Sequence, residues 1–346
     1  MLEIIKRGAP QFKANLHSHS TLSDGHLTPE EMKTLYKNHG YSVLAITDHE
    51  LPFDHSALSD DDFIMLTGYE IYIRGNDEKK YDKLGPEIHF NLYARDMHNT
   101  DYIGYDDDYC HYIKDSEKRA ALVKIGTTRS RTYTPEYVNE VVATANANGY
   151  ICSYNHPYWS MEDWSRIEQY EGFFSMEMCN YNSHVENGLE HNGQLYEFLL
   201  RRGKRMFCHS GDDNHNSYPV GHPLCDSLGA FTYIIPDEFS YSGIFEALEK
   251  GDFYSSMGPE IKALYIKDGV AHIETSPARQ IIMHYGGKRP PTVRAEEGKS
   301  VSSADFIINP RAPFVRFSVI DREGRSADTR GIFRDEFDAE MPDYTK

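Results

Sequence analysis

A chain of 346 residues with 39% hydrophobic and 26% charged content can build a large core and lies outside the compositions of disordered chains. Its formal charge of −18 excludes general affinity for nucleic-acid backbones or anionic membranes, so neither is an expected partner. No run approaches the roughly 20 apolar residues of a membrane span. The start, MLEIIKRGAPQF, lacks signal-peptide features, and five scattered cysteines without CxxC spacing suit free thiols; a cytoplasmic location is expected.

The first motif, NLHSHSTLSDG (15–25), places His17 and His19 two apart, the spacing that puts side chains on one face of an extended segment. Thr28-Pro29-Glu30-Glu31 then reads as a helix start, with Thr28 as cap and acids at the positive dipole end. That helix carries Met32, Leu35 and Tyr36 and stops at Gly40. YSVLAIT (41–47) is a strand ending in Asp48-His49, and FIMLTGYE (63–70) and EIHFNLYA (87–94) are strands carrying Glu70 and His89.

Thr134-Pro135-Glu136 opens a second helix towards Gly149, and the strand YICSY (150–154) ends in Asn155-His156-Pro157. A third helix is expected over 190–202, followed by the strand RMFCHS (205–210) and Gly211-Asp212-Asp213-Asn214-His215. Helix-then-strand alternation predicts parallel strands whose C-termini share one face. Strand after strand delivers a ligand-type residue near that end: His17, His19, Asp24, His49, Glu70, His89, His156, Asp213 and His215. Neutral imidazoles and carboxylates are the ligands of divalent metals in hydrolases, and nine exceed the needs of one ion.

Beyond residue 258, runs such as IKALYIKDGVAHIETS and FVRFSVIDREGR are strand-like and joined by Gly, Pro and Asp turns. They predict a C-terminal β domain (259–346), a sandwich of about seven strands or fewer. It ends in a polar, poorly ordered tail over 335–346.

In their order, HSHSTLSDG, AITDHE, GYE, EIH, NHP and DNH resemble the successive motifs of the PHP (polymerase and histidinol phosphatase) family, over roughly residues 12–258. The resemblance implies an α/β fold, a distorted seven-stranded (β/α) barrel spanning 1–258, with a trinuclear metal centre at the strand C-termini. It implies that His17, His19, Glu70 and Asp213 hold one ion. Glu70 bridges to a second, held also by His89 and His156. Asp24, His49 and His215 take a third. Two or three divalent ions are expected; a histidine-rich set favours zinc, manganese or iron over magnesium. The family's last motif commonly reads Ser-Asp-x-His; spacing to His215 favours Asp213 as the ligand, with the adjacent Asp212 as a competitor or a second-layer neighbour.

The chemistry so implied is hydrolysis of a small phosphate ester by a metal-bridging hydroxide held by Glu70. Arg129, Arg131, Arg166 and His222 are candidate phosphate contacts, with solvated loops as the alternative. His184 is a candidate acid or substrate contact. Asp48 either hydrogen-bonds a ligand histidine or caps a turn. Two other readings stand: an amidohydrolase-like C–N or ester hydrolase on the same barrel, and a binding module with a structural metal. Composition and spacing leave the oligomeric state open.

Overall fold

The computed structural model describes residues 1–75, 85–126 and 129–342. Seven strands run side by side in one large sheet: Phe12–Asn15, Val43–Ile46, Ile64–Arg74, Glu87–Ala94, Tyr150–Tyr154, Ser175–Asn180 and Phe207–Gly211. All but Glu87–Ala94 share one direction. That strand pairs antiparallel with both neighbours, which corrects the expectation of an all-parallel series. Its reversal has a geometric consequence: the start of an antiparallel strand lies level with the ends of its parallel neighbours. His89, third in its strand, faces Tyr72 across the ladder and so lies near Glu70.

The ladder does not close into a barrel. The free edge of Phe12–Asn15 is taken by an unexpected strand, Phe231–Ile234, which pairs Thr232 with Ala14 and Ile234 with Phe12. The two ends of the seven-strand run meet only beyond their strands. There the Asp213 N–H donates to the His17 carbonyl (2.8 Å) and the His19 N–H to the Asn214 carbonyl (3.0 Å). Gly211 permits this approach, because a Cβ there would stand 2.8 Å from that of His17.

Helices form where their caps predict. Thr28 and Glu31 make a reciprocal capping box for Pro29–Asn38, which buries Met32 and Tyr36. Thr134 caps Pro135–Ala147, whose Tyr137, Val138, Val141 and Val142 pack with Tyr150, Cys152 and Tyr154 in the main core. The helix expected over 190–202 spans Gly193–Arg201. Tyr241–Lys250, capped by Ser240 and closed by a left-handed Gly251, was not expected. Among the described residues no helix is long and apolar enough to cross a membrane, and all five cysteines are free and buried.

The large sheet continues past Phe231–Ile234 through Phe253–Ser256, Ser326–Thr329, Phe314–Ile320, Gln280–His284 and Thr292–Arg294. A four-stranded sheet packs with this extension: Leu2–Ile5, Ile261–Lys267, Val270–Ala278 and Val301–Ile307. Ile5, Leu264, Ile273, Phe306, Phe317 and Val319 share one core. The C-terminal region holds eight strands among the described residues, and the N-terminal Leu2–Ile5 pairs with it. Its end is ordered through residue 342, against the expected loose tail. Arg334–Phe337 is helical because Phe337 is an apolar anchor, fully buried. The last four residues of that tail lie outside the described ones.

Arg131 sits at the junction of four segments. Its guanidinium donates to both Glu50 carboxylate oxygens (2.5 and 2.7 Å), to the Tyr72 carbonyl (2.7 Å) and to the Gly104 carbonyl (3.0 Å). Both partners are buried, and removing one leaves an uncompensated charge. We predict that Arg131→Ala lowers unfolding free energy by about 3–5 kcal/mol in denaturant titration. A change under about 1 kcal/mol, the range of exposed pairs, would contradict this role.

Candidate metal centre

Six segments deliver the ligand-type residues to one end of the seven-strand run. His17 and His19 follow the strand Phe12–Asn15, and Asp24 lies in the turn after them. Asp48 builds that turn: it accepts the Ser20 N–H (2.7 Å), the Ser20 hydroxyl (2.6 Å) and the Ser23 hydroxyl (2.5 Å). It therefore holds the turn rather than a histidine. Gly25 closes the turn with its N–H on the Ser20 carbonyl (2.9 Å), where a side chain would collide with the His19 backbone.

His49 follows Val43–Ile46, and Glu70 lies within, not at the end of, Ile64–Arg74. His156 follows Tyr150–Tyr154, and Asp213 and His215 follow Phe207–Gly211. His156 (φ 24°) and Asp213 (φ 54°) hold left-handed backbone. Such conformations cost about 1–3 kcal/mol each and persist where surroundings enforce them.

All nine residues come together. Four overlapping groups have ligand atoms within 4.8 Å of one another: His19, Asp24, His49 and His215; His17, Glu70 and His156; His17, His19 and Asp213; and His49, Glu70 and His89. Glu70, His17, His19 and His49 each belong to two of these groups. The Glu70 carboxylate lies 3.2 Å from His17 Nε2, 3.5 Å from His19 Nε2, 2.9 Å from His49 Nδ1, 3.3 Å from His89 Nδ1 and 3.6 Å from His156 Nε2. Asp213 lies 3.1 Å from His17 Nε2 and 3.0 Å from His19 Nε2. Asp24 lies 3.6 Å from His49 and 3.7 Å from His215.

Several of these atoms approach without the alignment of hydrogen bonds. His17 Nε2, His19 Nδ1, His49 Nδ1, His89 Nε2 and Glu70 Oε2 are buried and have no hydrogen-bond partner among the described residues. Buried polar atoms are rarely left so, and lone pairs converging on shared points suit divalent cations. The donor set of imidazoles and carboxylates, without thiolate, fits such ions.

Electrostatics run the same way. Burial would lower the His17 imidazole, but Asp213, Glu177 and Glu70 raise it well above its ordinary value. His89, also buried, is pushed up to about 10 by Glu70 and Glu87. Burial opposes ionisation of Glu70 and Asp213, yet the surrounding histidines hold both carboxyls well below their usual range. Burial, with His49 and His215 nearby, lowers His19 instead.

Spacing did not reveal the residues that orient these groups. Glu177, wholly buried in Ser175–Asn180, accepts His17 Nδ1 (2.7 Å), the His156 N–H (2.8 Å) and Asn180 Nδ2 (2.9 Å). Its signal was a glutamate inside the otherwise apolar run FFSMEMCN. Asn155 donates to Glu70 Oε1 (2.7 Å), and Tyr112 to Asp24 (3.2 Å). Asp212 and Asp213 are now distinguished. Asp212 accepts the Leu228, Gly229 and Ala230 N–H groups and the Tyr36 hydroxyl, away from the cluster, and burial raises it to about 6.

The cluster floors a cavity of about 860 Å³, walled by Trp159, Asn182, Val185, Tyr218 and Leu224 among others. None of its described lining residues is lysine or arginine. The expected substrate contacts lie elsewhere. Arg131 is locked on Glu50, Arg129 pairs with Glu140 (2.5 Å), and Arg166 lies over the Tyr133 ring with a bond to its carbonyl (3.0 Å). His184 stacks on Tyr181 and lies 3.4 Å from Glu190; His222 stacks on Tyr218. None of these five is among the cavity's described lining residues, although Tyr218, on which His222 stacks, is.

No protein-family model matches the chain, and no curated protein does. Solved structures are similar to it only at low identity and low TM-score. A two-domain protein from Bacteroides vulgatus, containing a predicted PHP-like metal-dependent phosphoesterase, is 15% identical at a TM-score of 0.44, covering 92% of this chain and 94% of its own. A Bifidobacterium adolescentis protein assigned as a metal-dependent phosphoesterase is 16% identical (TM-score 0.38; 63% and 94% covered). An amidohydrolase from Chromobacterium violaceum, solved with sulfate and no metal, is 18% identical (TM-score 0.37; 61% and 93% covered). At these values the likenesses carry no argument about activity.

Glu177 fixes the tautomer and direction of His17. Glu177→Gln is expected to weaken Mn²⁺ or Zn²⁺ binding about 10–100-fold in chelator competition while the fold is kept. Unchanged affinity would remove Glu177 from the site.

Proposed function

We propose that the protein is a metal-dependent hydrolase of small phosphate esters, with nine residues — His17, His19, Asp24, His49, Glu70, His89, His156, Asp213 and His215 — as ligands for two or three divalent ions. The observation that carries this reading is their convergence in four overlapping groups, five imidazoles surrounding the Glu70 carboxylate among them, at the floor of a cavity large enough for a small molecule. The motif order that resembles the PHP family supports the phosphoester as the bond attacked. Nine ligands around an open cavity speak against a purely structural ion, which takes four and leaves no open position.

Divalent ions held there would lower the pKa of bound water and offset charge on the substrate's oxygens. The chain's own residues position that chemistry. Glu177 and Asn155 orient His17 and Glu70. Asp226 accepts the His215 N–H (2.7 Å) and fixes the loop bearing it. Trp159 packs edge-on against His89 and His156 and walls the floor from water. With no described cation in the lining, neutralising phosphate falls to the metal-binding end of the cavity. The walls Trp159, Val185, Tyr218 and Leu224 favour a substrate with an apolar or ring-bearing body.

That same absence of basic lining favours a second reading, hydrolysis of an amide or carboxylic ester, whose ground states carry less charge. Purified protein with Mn²⁺ or Zn²⁺ is expected to hydrolyse p-nitrophenyl phosphate or nucleotides. His17→Ala and Glu70→Ala should each lower kcat/KM at least about 100-fold, equivalent to about 2.7 kcal/mol of transition-state stabilisation. Turnover of N-acyl amino acids without phosphate release would establish the second reading, and phosphatase activity retained in both variants would exclude the first.

A further inference from the structure

A second cavity, of about 570 Å³, lies between the helix Gly193–Arg201 and the strands Gln280–His284, Phe314–Ile320 and Ser326–Thr329. It shares no lining residue with the metal-binding cavity. Its base is a buried charged network. Arg316, 3% exposed, donates from Nε to Glu197 (2.8 Å) and from Nη1 to Ser318 Oγ (3.2 Å) and Asp328 (3.3 Å). Asp328 is fully buried, accepts the Ser318 hydroxyl and lies 3.5 Å from His191.

Around this network the lining carries more cations than carboxylates. Glu197 and Asp328 are both engaged by Arg316, and among the described residues Arg316 Nη2 has no acceptor. Arg201 and Lys288 line the same cavity, and no described carboxylate pairs with either. Three cations, Arg201, Lys288 and Arg316, against two carboxylates, Glu197 and Asp328, leave this lining one formal charge positive in a chain of formal charge −18. Trp164, Ile282 and Ile320 supply apolar wall beside it.

A guanidinium held rigid by two carboxylates loses little entropy on meeting a ligand, and its remaining N–H groups are directed. Cations and apolar wall on the same recess select a head-and-body ligand over a bare ion. We propose that this cavity binds a small organic oxyanion, its head on Arg201, Lys288 and Arg316 Nη2 and its flat apolar body against Trp164, Ile282 and Ile320.

The test uses the metal-loaded full chain with 4-bromobenzoate and 4-bromophenylphosphonate as probes. Anomalous scattering from bromine in crystals is expected to place at least one probe in this cavity. Arg201→Ala/Lys288→Ala, both exposed positions, is expected to weaken that binding about tenfold or more by calorimetry and to leave Mn²⁺ uptake unchanged. Bromobenzoate alone in the cavity identifies a carboxylate head, the phosphonate alone a phosphate-like head, and both a general oxyanion site. Bromine found only at the metal-binding cavity, bromine found nowhere, or equal affinity in the double variant would overturn the proposal.

Discussion

The structure around the candidate centre depends on one buried carboxylate. Glu70 has no exposure, and five imidazoles stand within 3.6 Å of its oxygens. An isolated carboxylate at that depth would be too costly to keep ionised, so the surroundings must supply positive charge. Raised imidazoles at His17 and His89 do so in the protein alone, and divalent ions would do so by displacing those protons. Either way the same residues must converge, and the left-handed backbones of His156 and Asp213 are the local cost of that convergence.

The fold meets this demand through an open sheet. Because Phe231–Ile234 occupies the edge of Phe12–Asn15, the strand Phe207–Gly211 cannot complete a ladder there. The two ends of the run are instead stitched at the level of the ligands, by hydrogen bonds from Asp213 to His17 and from His19 to Asn214. The contact that substitutes for barrel closure also sets the spacing of the ligands. Glu177 performs a similar double duty, joining the strand Ser175–Asn180 to His17 on one side and to the His156 backbone on the other.

The C-terminal sheet is an extension of the same ladder, not a separate module hung from a linker. Its junction with the helix Gly193–Arg201 buries Arg316 and Asp328 and partly covers Glu197. Charged groups at such a junction have to satisfy one another, and this network does so incompletely. Apolar packing at that interface would have carried no such remainder. The first cavity is lined by carboxylates and histidines with no described lysine or arginine, whereas the junction cavity sets Arg201, Lys288 and Arg316 against Glu197 and Asp328.

Much of this was legible in the chain itself. Capping residues Thr28 and Thr134, strand-like runs and the recurrence of His, Asp and Glu after them are local features, and local chemistry specifies them without reference to the rest of the fold. The nine candidate ligands were readable for that reason, and so was Glu177 in principle, as a charge inside an apolar run. Other properties depended on what lay opposite in space. Arg131 and Arg129 read alike beside one helix start, yet one is sealed against Glu50 and the other paired at the surface with Glu140. Asp212 and Asp213 are neighbours with identical side chains. Only the left-handed turn at Asp213 and the three N–H groups of 228–230 send one into the cluster and the other away from it. The sequence by itself determined which groups could bind a metal. Tertiary structure decided which of the charged groups are free to do chemistry, because a buried charge goes to whatever partner the packing brings within reach.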